Sequence, residues 1–201
     1  MQLIGEKLTC VRGGRTVFSG LSFKVAAGDG LLLTGPNGAG KSSLLRMIAG
    51  LLRPQAGTLR LSRGPAERDI GELCHFIGHA NGIKRVLTVE ENLRFWSGYL
   101  GGEGVDKALA TLGLESIRDV PAALLSAGQA RRLALARLLV APRPLWLLDE
   151  PTVSLDAASQ ATFARLIRAH LASRGIVAAA THLPLGATFR RKLTLGKGGS
   201  Q

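Results

Sequence analysis

One stretch constrains this chain more than any other: Leu31 to Leu52, reading LLLTGPNGAGKSSLLRMIAGLL. Leu31-Leu32-Leu33-Thr34 are apolar or β-branched and predict a buried strand. A glycine-rich turn follows (Gly35, Pro36, Asn37, Gly38, Ala39, Gly40), then Lys41-Ser42-Ser43, then apolar positions at helical spacing. Strand, G-x-x-x-x-G-K-S and helix, in that order, make a phosphate loop in the context the motif requires. Gly35, Gly38 and Gly40 let the backbone curl until its N–H groups point at one anion. The new helix adds the positive end of its dipole. Lys41 can reach terminal phosphates, and the Ser42 hydroxyl can ligate magnesium. A chance glycine-rich turn would account for the glycines but not for the agreement of strand, loop and helix.

The length of 201 residues suits one substantial domain, and an apolar content of 46% marks a globular chain. No run of about twenty apolar residues predicts a membrane span. The start, MQLIGEKLTC, predicts no secretory signal. Cys10 and Cys74 lack metal-like spacing and fit a reduced compartment. The net charge of +12 can attract anionic lipid or nucleic acid, or can decorate solvated faces with arginine. Aromatic content is 4%, and no basic run sits among aromatics, which argues against a base-stacking surface.

Along the chain, Gln2–Cys10 and Thr16–Val25 predict a hairpin around Gly13-Gly14. Thr58–Ser62 and Leu73–Ile77 predict further strands, with a polar surface loop over Arg63–Ile70. From Val86 to Val140 the character is helical. Thr88-Val89-Glu90-Glu91 is a capping-box pattern opening a helix to about Tyr99; Asp106–Leu112 is a second helix. Ser126 and Gln129 have the same capping-box spacing and open a third. Strands resume at Leu145–Leu148, Ile176–Thr181 and Arg191–Leu195, with a helix over Asp156–Ser173. The 86–140 segment therefore reads as an insertion in an α/β core formed by 1–85 and 141–201.

Leu145-Trp146-Leu147-Leu148-Asp149-Glu150 is an apolar strand ending in two carboxylates. So apolar a strand is buried on both faces, and its end is where an open α/β sheet binds ligand. Asp149 would hold magnesium opposite Ser42, and Glu150 would orient an attacking water for in-line displacement at phosphorus. Two acids capping the next element would be the plainer reading, were there no phosphate loop before them.

Leu125-Ser126-Ala127-Gly128-Gln129 resembles the LSGGQ signature of ATP-binding-cassette (ABC) proteins, and with the phosphate loop before it and Asp149-Glu150 after it the resemblance spans essentially the whole chain. The resemblance implies a P-loop NTPase, ABC-type nucleotide-binding domain: an α/β fold of mixed sheet, with an N-terminal antiparallel β subdomain and the helical subdomain at about 86–140. It implies ATP and Mg2+ as ligands and a homodimer with ATP clamped between two subunits, the signature residues of one subunit serving ATP on the other. Ser154-Leu155-Asp156 matches the D-loop, which touches the other subunit; an ordinary helix cap at Asp156 is the alternative. His182 matches the switch histidine, which bonds the γ-phosphate and helps place Glu150. Three positions depart from the family. Ala127 replaces a glycine. His79 stands where a Q-loop glutamine near magnesium is usual, and histidine changes charge near neutral pH. Arg12 stands where an aromatic side chain stacks on adenine, a role a guanidinium plane can take.

Softer details resemble the ATPase subunits of bacterial cytochrome c biogenesis haem exporters: Phe76-Ile77-Gly78-His79, Asn81-Gly82-Ile83-Lys84, Asn92-Leu93-Arg94-Phe95-Trp96, and Ala130-Arg131-Arg132 after the signature. That resemblance implies partnership with integral membrane subunits of cytochrome c maturation, contacted through residues between His79 and Tyr99. It also implies a peripheral place on the cytoplasmic face of the bacterial inner membrane, and haem export or release of a haem-loaded chaperone as the work driven. No haem-ligating constellation is visible among His75, His79, His170 and His182. Another ABC exporter subunit (lipid, drug or ion), a nucleic-acid-linked ABC ATPase and a binding-only cassette are the competing readings. Intact Lys41, Asp149, Glu150 and His182 argue against the last, and the aromatic-poor surface against nucleic acid.

Overall fold

The computed structural model describes residues 1–62 and 69–196. Most of the polar loop expected at Arg63–Ile70 lies outside the described residues, as does the glycine-rich tail. The chain opens with two long strands, β1 (Gln2–Arg12) and β2 (Arg15–Ala26), and a third, β4 (Ala56–Ser62), completes an antiparallel sheet in the order β2-β1-β4. Gly13 and Gly14 form the β1–β2 turn with φ of 53° and 74° between the paired Arg12 and Arg15. Two successive left-handed residues are what a two-residue hairpin needs to match strand twist.

The second sheet is parallel throughout, in the order β5-β6-β7-β3-β8. Its strands are β3 (Gly30–Thr34), β5 (Cys74–Ile77), β6 (Leu145–Asp149), β7 (Ile176–Ala180) and β8 (Arg191–Thr194). The expected antiparallel N-terminal part and α/β core are both present, and the two kinds of pairing fall in separate sheets. One strand start shifts. Leu73 closes a 3-10 turn over Ile70–Leu73, because the Asp69 carboxylate accepts from the Gly71 N–H at 3.0 Å, and β5 begins after it.

Among the described residues, five α-helices complete the fold: α1 (Lys41–Ile48), α2 (Val89–Leu100), α3 (Val105–Thr111), α4 (Ala127–Val140) and α5 (Ala157–Ala172). Strand periodicity explains why β6 and β7 are apolar at every position but the last of β6. Leu145, Leu147, Ile176, Ala178 and Ala180 join Leu31, Leu33, α1 and the antiparallel sheet in one core. Trp146, Leu148, Val177 and Ala179 point the other way, into a second core with α2, α3, α4 and α5. Sandwiching fixes the register of these strands, since a one-residue slip would exchange the two cores. Among the described residues no helix is long and apolar enough to cross a membrane.

Candidate functional site

The chemistry-bearing segments meet at the carboxyl ends of β6, β7 and β3, which are neighbours in the parallel sheet. The loop after β3 holds Gly35, Gly38 and Gly40 at φ of 129°, 81° and 100°. A Cβ at Gly35 would overlap the Leu195 carbonyl, and one at Gly40 would press into Val17 and Phe18, so neither conformation nor space admits a larger residue. Pro36, Asn37 and Gly38 form an exposed crest; the Ala39 N–H bonds back to the Pro36 carbonyl at 3.2 Å. Lys41 is the first residue of α1. Its buried ammonium donates to the Gly35 and Pro36 carbonyls at 2.7 and 3.0 Å, so it lies folded back over the loop. Helix α1 has no acid in its first turn and no side-chain cap, which leaves its dipole end uncompensated beside the half-buried Ser42 and Ser43.

Asp149 closes β6 and is buried, while Glu150 turns the chain with φ of 46°, rare for a residue with a side chain. The Glu150 N–H bonds to the Ala180 carbonyl at 2.8 Å, carrying the β6–β7 pairing one residue further. Its carboxylate accepts from the His182 N–H at 3.4 Å and sits 3.6 Å from the His182 Nε2. The sequence-predicted acid and histidine are thus brought together from two strand ends. Ser42 and Asp149 offer hard oxygen donors. Among the described residues no three His, Cys, Asp or Glu side chains gather into a metal cluster.

Ser126 opens α4 as expected, accepting from the Gln129 N–H at 3.2 Å while the Gln129 side chain accepts from the Ser126 N–H at 2.8 Å. Ala127 stands exposed between them. Gly128 lies against the Ser154 carbonyl, where a Cβ would sit 3.0 Å from the oxygen. Asp156 accepts from the Ser159 N–H at 2.7 Å and caps α5, a bond that holds its carboxyl below the usual range. His79, in the loop after β5, and Arg12, at the end of β1, are both exposed, and neither side chain is hydrogen-bonded among the described residues. The other two histidines belong to the core. The His75 Nε2 lies 2.8 Å from the Ala141 carbonyl, and His170 stacks on Trp146 with centroids 4.0 Å apart. Burial pushes both down to about 4, so they stay neutral.

Sequence reasoning missed two polar residues that shape the site. Asn92 is buried in α2 and binds the Lys84 backbone on both its N–H and carbonyl sides, plus the Leu87 and Thr88 carbonyls, fixing the chain ahead of α2. Arg131, in α4, is buried among carbonyls of the acid pair and of the loop after β5. A signal existed. Arg131 falls in register with Ala134, Leu135 and Leu138, the i, i+3, i+4, i+7 stripe that faces a core.

A phosphate loop, an acid pair beside a histidine and a second uncompensated helix end, all on this fold, define the ATP-binding subunit class of ABC transporters. The pattern of the ABC transporter family matches residues 18–153, and the chain belongs to that family as an ATPase subunit. Within it, the chain is 54% identical over 192 residues to the cytochrome c biogenesis ATP-binding export protein CcmA of Bradyrhizobium diazoefficiens, covering 94% of this chain and 96% of that one. It is 53% identical to the protein of that name from Chelativorans sp., over 98% of this chain and 100% of the relative, and 50% identical to that of Rhizobium meliloti. Among solved structures, an ATP-binding subunit of an ABC transporter superposes with a TM-score of 0.87 at 23% identity, covering 98% of this chain and 87% of that one. A dimeric ATP-binding cassette in a post-hydrolysis state, bound to ADP and phosphate, superposes at 0.83 with 21% identity, over 98% of this chain and 95% of that one. At such identities these two speak for the fold.

Proposed function

We propose that this chain hydrolyses ATP as a homodimer and thereby drives a membrane complex in cytochrome c biogenesis, exporting haem or releasing a haem-loaded chaperone. Residues 1–201 act as one ABC domain, with the core at 1–85 and 141–201 and the helical subdomain at about 86–140. The observation that carries the reading is the Glu150 carboxylate, turned toward His182 at a strand end two places from the phosphate loop. Residues 35–43 cradle the triphosphate of ATP through backbone N–H groups, and Lys41 leaves its own loop's carbonyls for the terminal phosphates. Glu150 orients and polarises the attacking water, and His182 steadies that carboxylate and meets the γ-phosphate. The other subunit contributes Ser126, Ala127, Gly128 and Gln129 at the start of α4, together with its Asp156 segment, and Arg12 stacks on the adenine. Ser42 and Asp149 suit Mg2+, an ion that nucleotide sites hold through one or two protein oxygens plus phosphate, with His79 nearby. When bound, the ion neutralises charge on the phosphates.

A membrane partner has a place to dock. Val86 is 90% exposed and Leu124 is 74% exposed, and their segments run together because the Ala123 N–H bonds to the Arg85 carbonyl at 2.9 Å. Tyr99 and Phe95 are also exposed, with Lys84 over the Phe95 ring at 4.5 Å. Isolated apolar residues on a surface are ordinary, but Val86 and Leu124 on paired segments, with Phe95 under Lys84, suit an integral membrane subunit. The chain would then lie peripherally on the cytoplasmic face of the inner membrane. Two variants test the whole. Glu150→Gln should bind ATP, accumulate as a nucleotide-bound dimer and lose hydrolysis by at least about a hundredfold. Lys41→Ala should lose nucleotide binding, and cells relying on it should lose c-type cytochromes. Hydrolysis by either variant at the parent rate overturns the site, and unchanged cytochrome content with inactive Lys41→Ala overturns the pathway.

A further inference from the structure

Arg131 is 4% exposed, and its guanidinium lies within hydrogen-bond reach of two separate segments, 149–151 and 78–81. Its Nε donates to the Pro151 carbonyl at 2.9 Å. One terminal nitrogen donates to the Asp149 and Glu150 carbonyls at 3.0 and 2.7 Å. The other donates to the Gly78 carbonyl at 3.0 Å and the Asn81 Oδ1 at 2.9 Å. A guanidinium has five N–H donors, and all five are used. Every acceptor is neutral. Burial pushes the group below its ordinary value, and the Asp149 and Glu150 charges pull it back only in part. A buried cation without a direct ion-pair partner is a costly way to fill a core position, where leucine would pack at no such cost. What the arginine supplies instead is geometry. It holds three consecutive carbonyls at the Glu150 turn and, with its other arm, the loop that carries His79.

From this we infer that Arg131 is a positioning residue for ATP hydrolysis: it locks the Glu150 turn to the Gly78–Asn81 loop and ties both to α4, whose first turn carries the signature. The inference rests on the proposed role of Glu150. Glu150 holds a left-handed φ that its residue type disfavours, and the clamp on the Asp149, Glu150 and Pro151 carbonyls adds to the Glu150 N–H bond to Ala180 in keeping it there. The two arms also make the position of the His79 loop felt at Glu150 through one rigid, planar group. Lysine could not do this, having three donors for five acceptors and no plane.

The test compares Arg131→Met, Arg131→Lys, Asn81→Ala and the Arg131→Met/Asn81→Ala double variant in the full chain, with Lys41→Ala alongside. Readouts are kcat and KM for ATP, nucleotide affinity by fluorescence titration, and the thermal midpoint. Arg131→Met should lower kcat at least tenfold while nucleotide affinity stays within about twofold. Arg131→Lys should recover only part of that rate. Asn81→Ala should slow the parent severalfold but leave Arg131→Met no slower, because its effect passes through the arginine. Parent-like kcat in Arg131→Met, full recovery by lysine, or multiplicative effects in the double variant would each overturn the assignment. So would loss of affinity and thermal midpoint in step with kcat, the mark of a merely structural residue. Should Arg131→Met fail to fold, the lysine rate and the Asn81→Ala effect measured in the Arg131→Lys background decide the matter on the same terms. If Lys41→Ala hydrolyses like the parent, the phosphate-loop reading has failed; if it is inert while Arg131→Met matches the parent, only Arg131 has.

Discussion

Helices α2 and α4 begin with the same device and end up with opposite electrostatics. In α2 the Thr88 hydroxyl accepts from the Glu91 N–H at 3.1 Å, and the Glu91 carboxylate accepts from the Thr88 N–H at 2.8 Å. In α4 Ser126 and Gln129 repeat the exchange. The caps satisfy equivalent orphan N–H groups, so both helices start cleanly. The difference lies in charge. The first turn of α2 carries Glu90 and Glu91, and Glu90 is further held by Arg118 and Arg94 at 2.7 Å each. The first turn of α4 carries no acid, only Ala127, Gly128 and the neutral Gln129. One dipole is answered by acids from within the chain, and the other has no acid in its first turn, which suits the anion proposed to meet it. A capping box therefore says where a helix starts; the absent acid is what separates the start proposed to meet an anion from the one that is not.

The largest effect should come from giving α4 what α2 has. Ala127 is exposed, so Ala127→Glu fits without displacing a neighbour. An acid in the first turn should raise helix stability by about 0.3–1 kcal/mol. The same acid would repel the partner subunit's nucleotide and cut hydrolysis by about a hundredfold, as loss of a preorganised anion donor does. A thermal midpoint that rises while kcat collapses is the expected pair of results. Retained hydrolysis would mean that no phosphate approaches this helix end.

What could be read beforehand and what could not divides along the same line. The phosphate loop, both capping boxes and the apolar strand ending in Asp149-Glu150 are local patterns, each complete within about ten residues, and local sterics dictate them. Glu150 meeting His182 required only that two strands be neighbours in a parallel sheet. Arg131 is different. Its acceptors lie between 18 and 53 residues away, so its purpose exists only in the folded chain. Asn92 and the start of β5 are different again: their partners lie within eight and two residues, but a buried amide and a short capped turn leave no apolar periodicity to mark them. Asp156 stays between the two: its cap is local and visible, and the contact with another subunit proposed for it is not.

A smaller and more symmetrical test removes each cap in turn. Thr88→Ala and Ser126→Ala should each lower unfolding free energy by about 1 kcal/mol, since each strands one helical N–H. Urea unfolding would register both alike. Hydrolysis would not: Ser126→Ala should slow it severalfold, and Thr88→Ala should leave kcat unchanged. Equal slowing by both would show that the cap at α4 acts through stability alone.

The smallest effect isolates the charge at α2. Hydrogen bonds from Arg118 and then Arg94 pull Glu90 down to about 2 from an ordinary value of 4.5. A carboxyl depressed on folding adds stability above its ordinary value and loses it as pH falls through the folded one. Glu90→Gln should therefore unfold at lower urea than the parent near neutral pH, with kcat intact. The gap between the two should close as pH drops from 4.5 toward 2, the interval between the unfolded and folded values. A gap that stays constant over that interval would mean Glu90 works through packing and hydrogen-bond shape, not ionisation. The contrast between the two helix starts would then be one of shape, and the acid-free turn of α4 would lose its standing as evidence for an incoming anion.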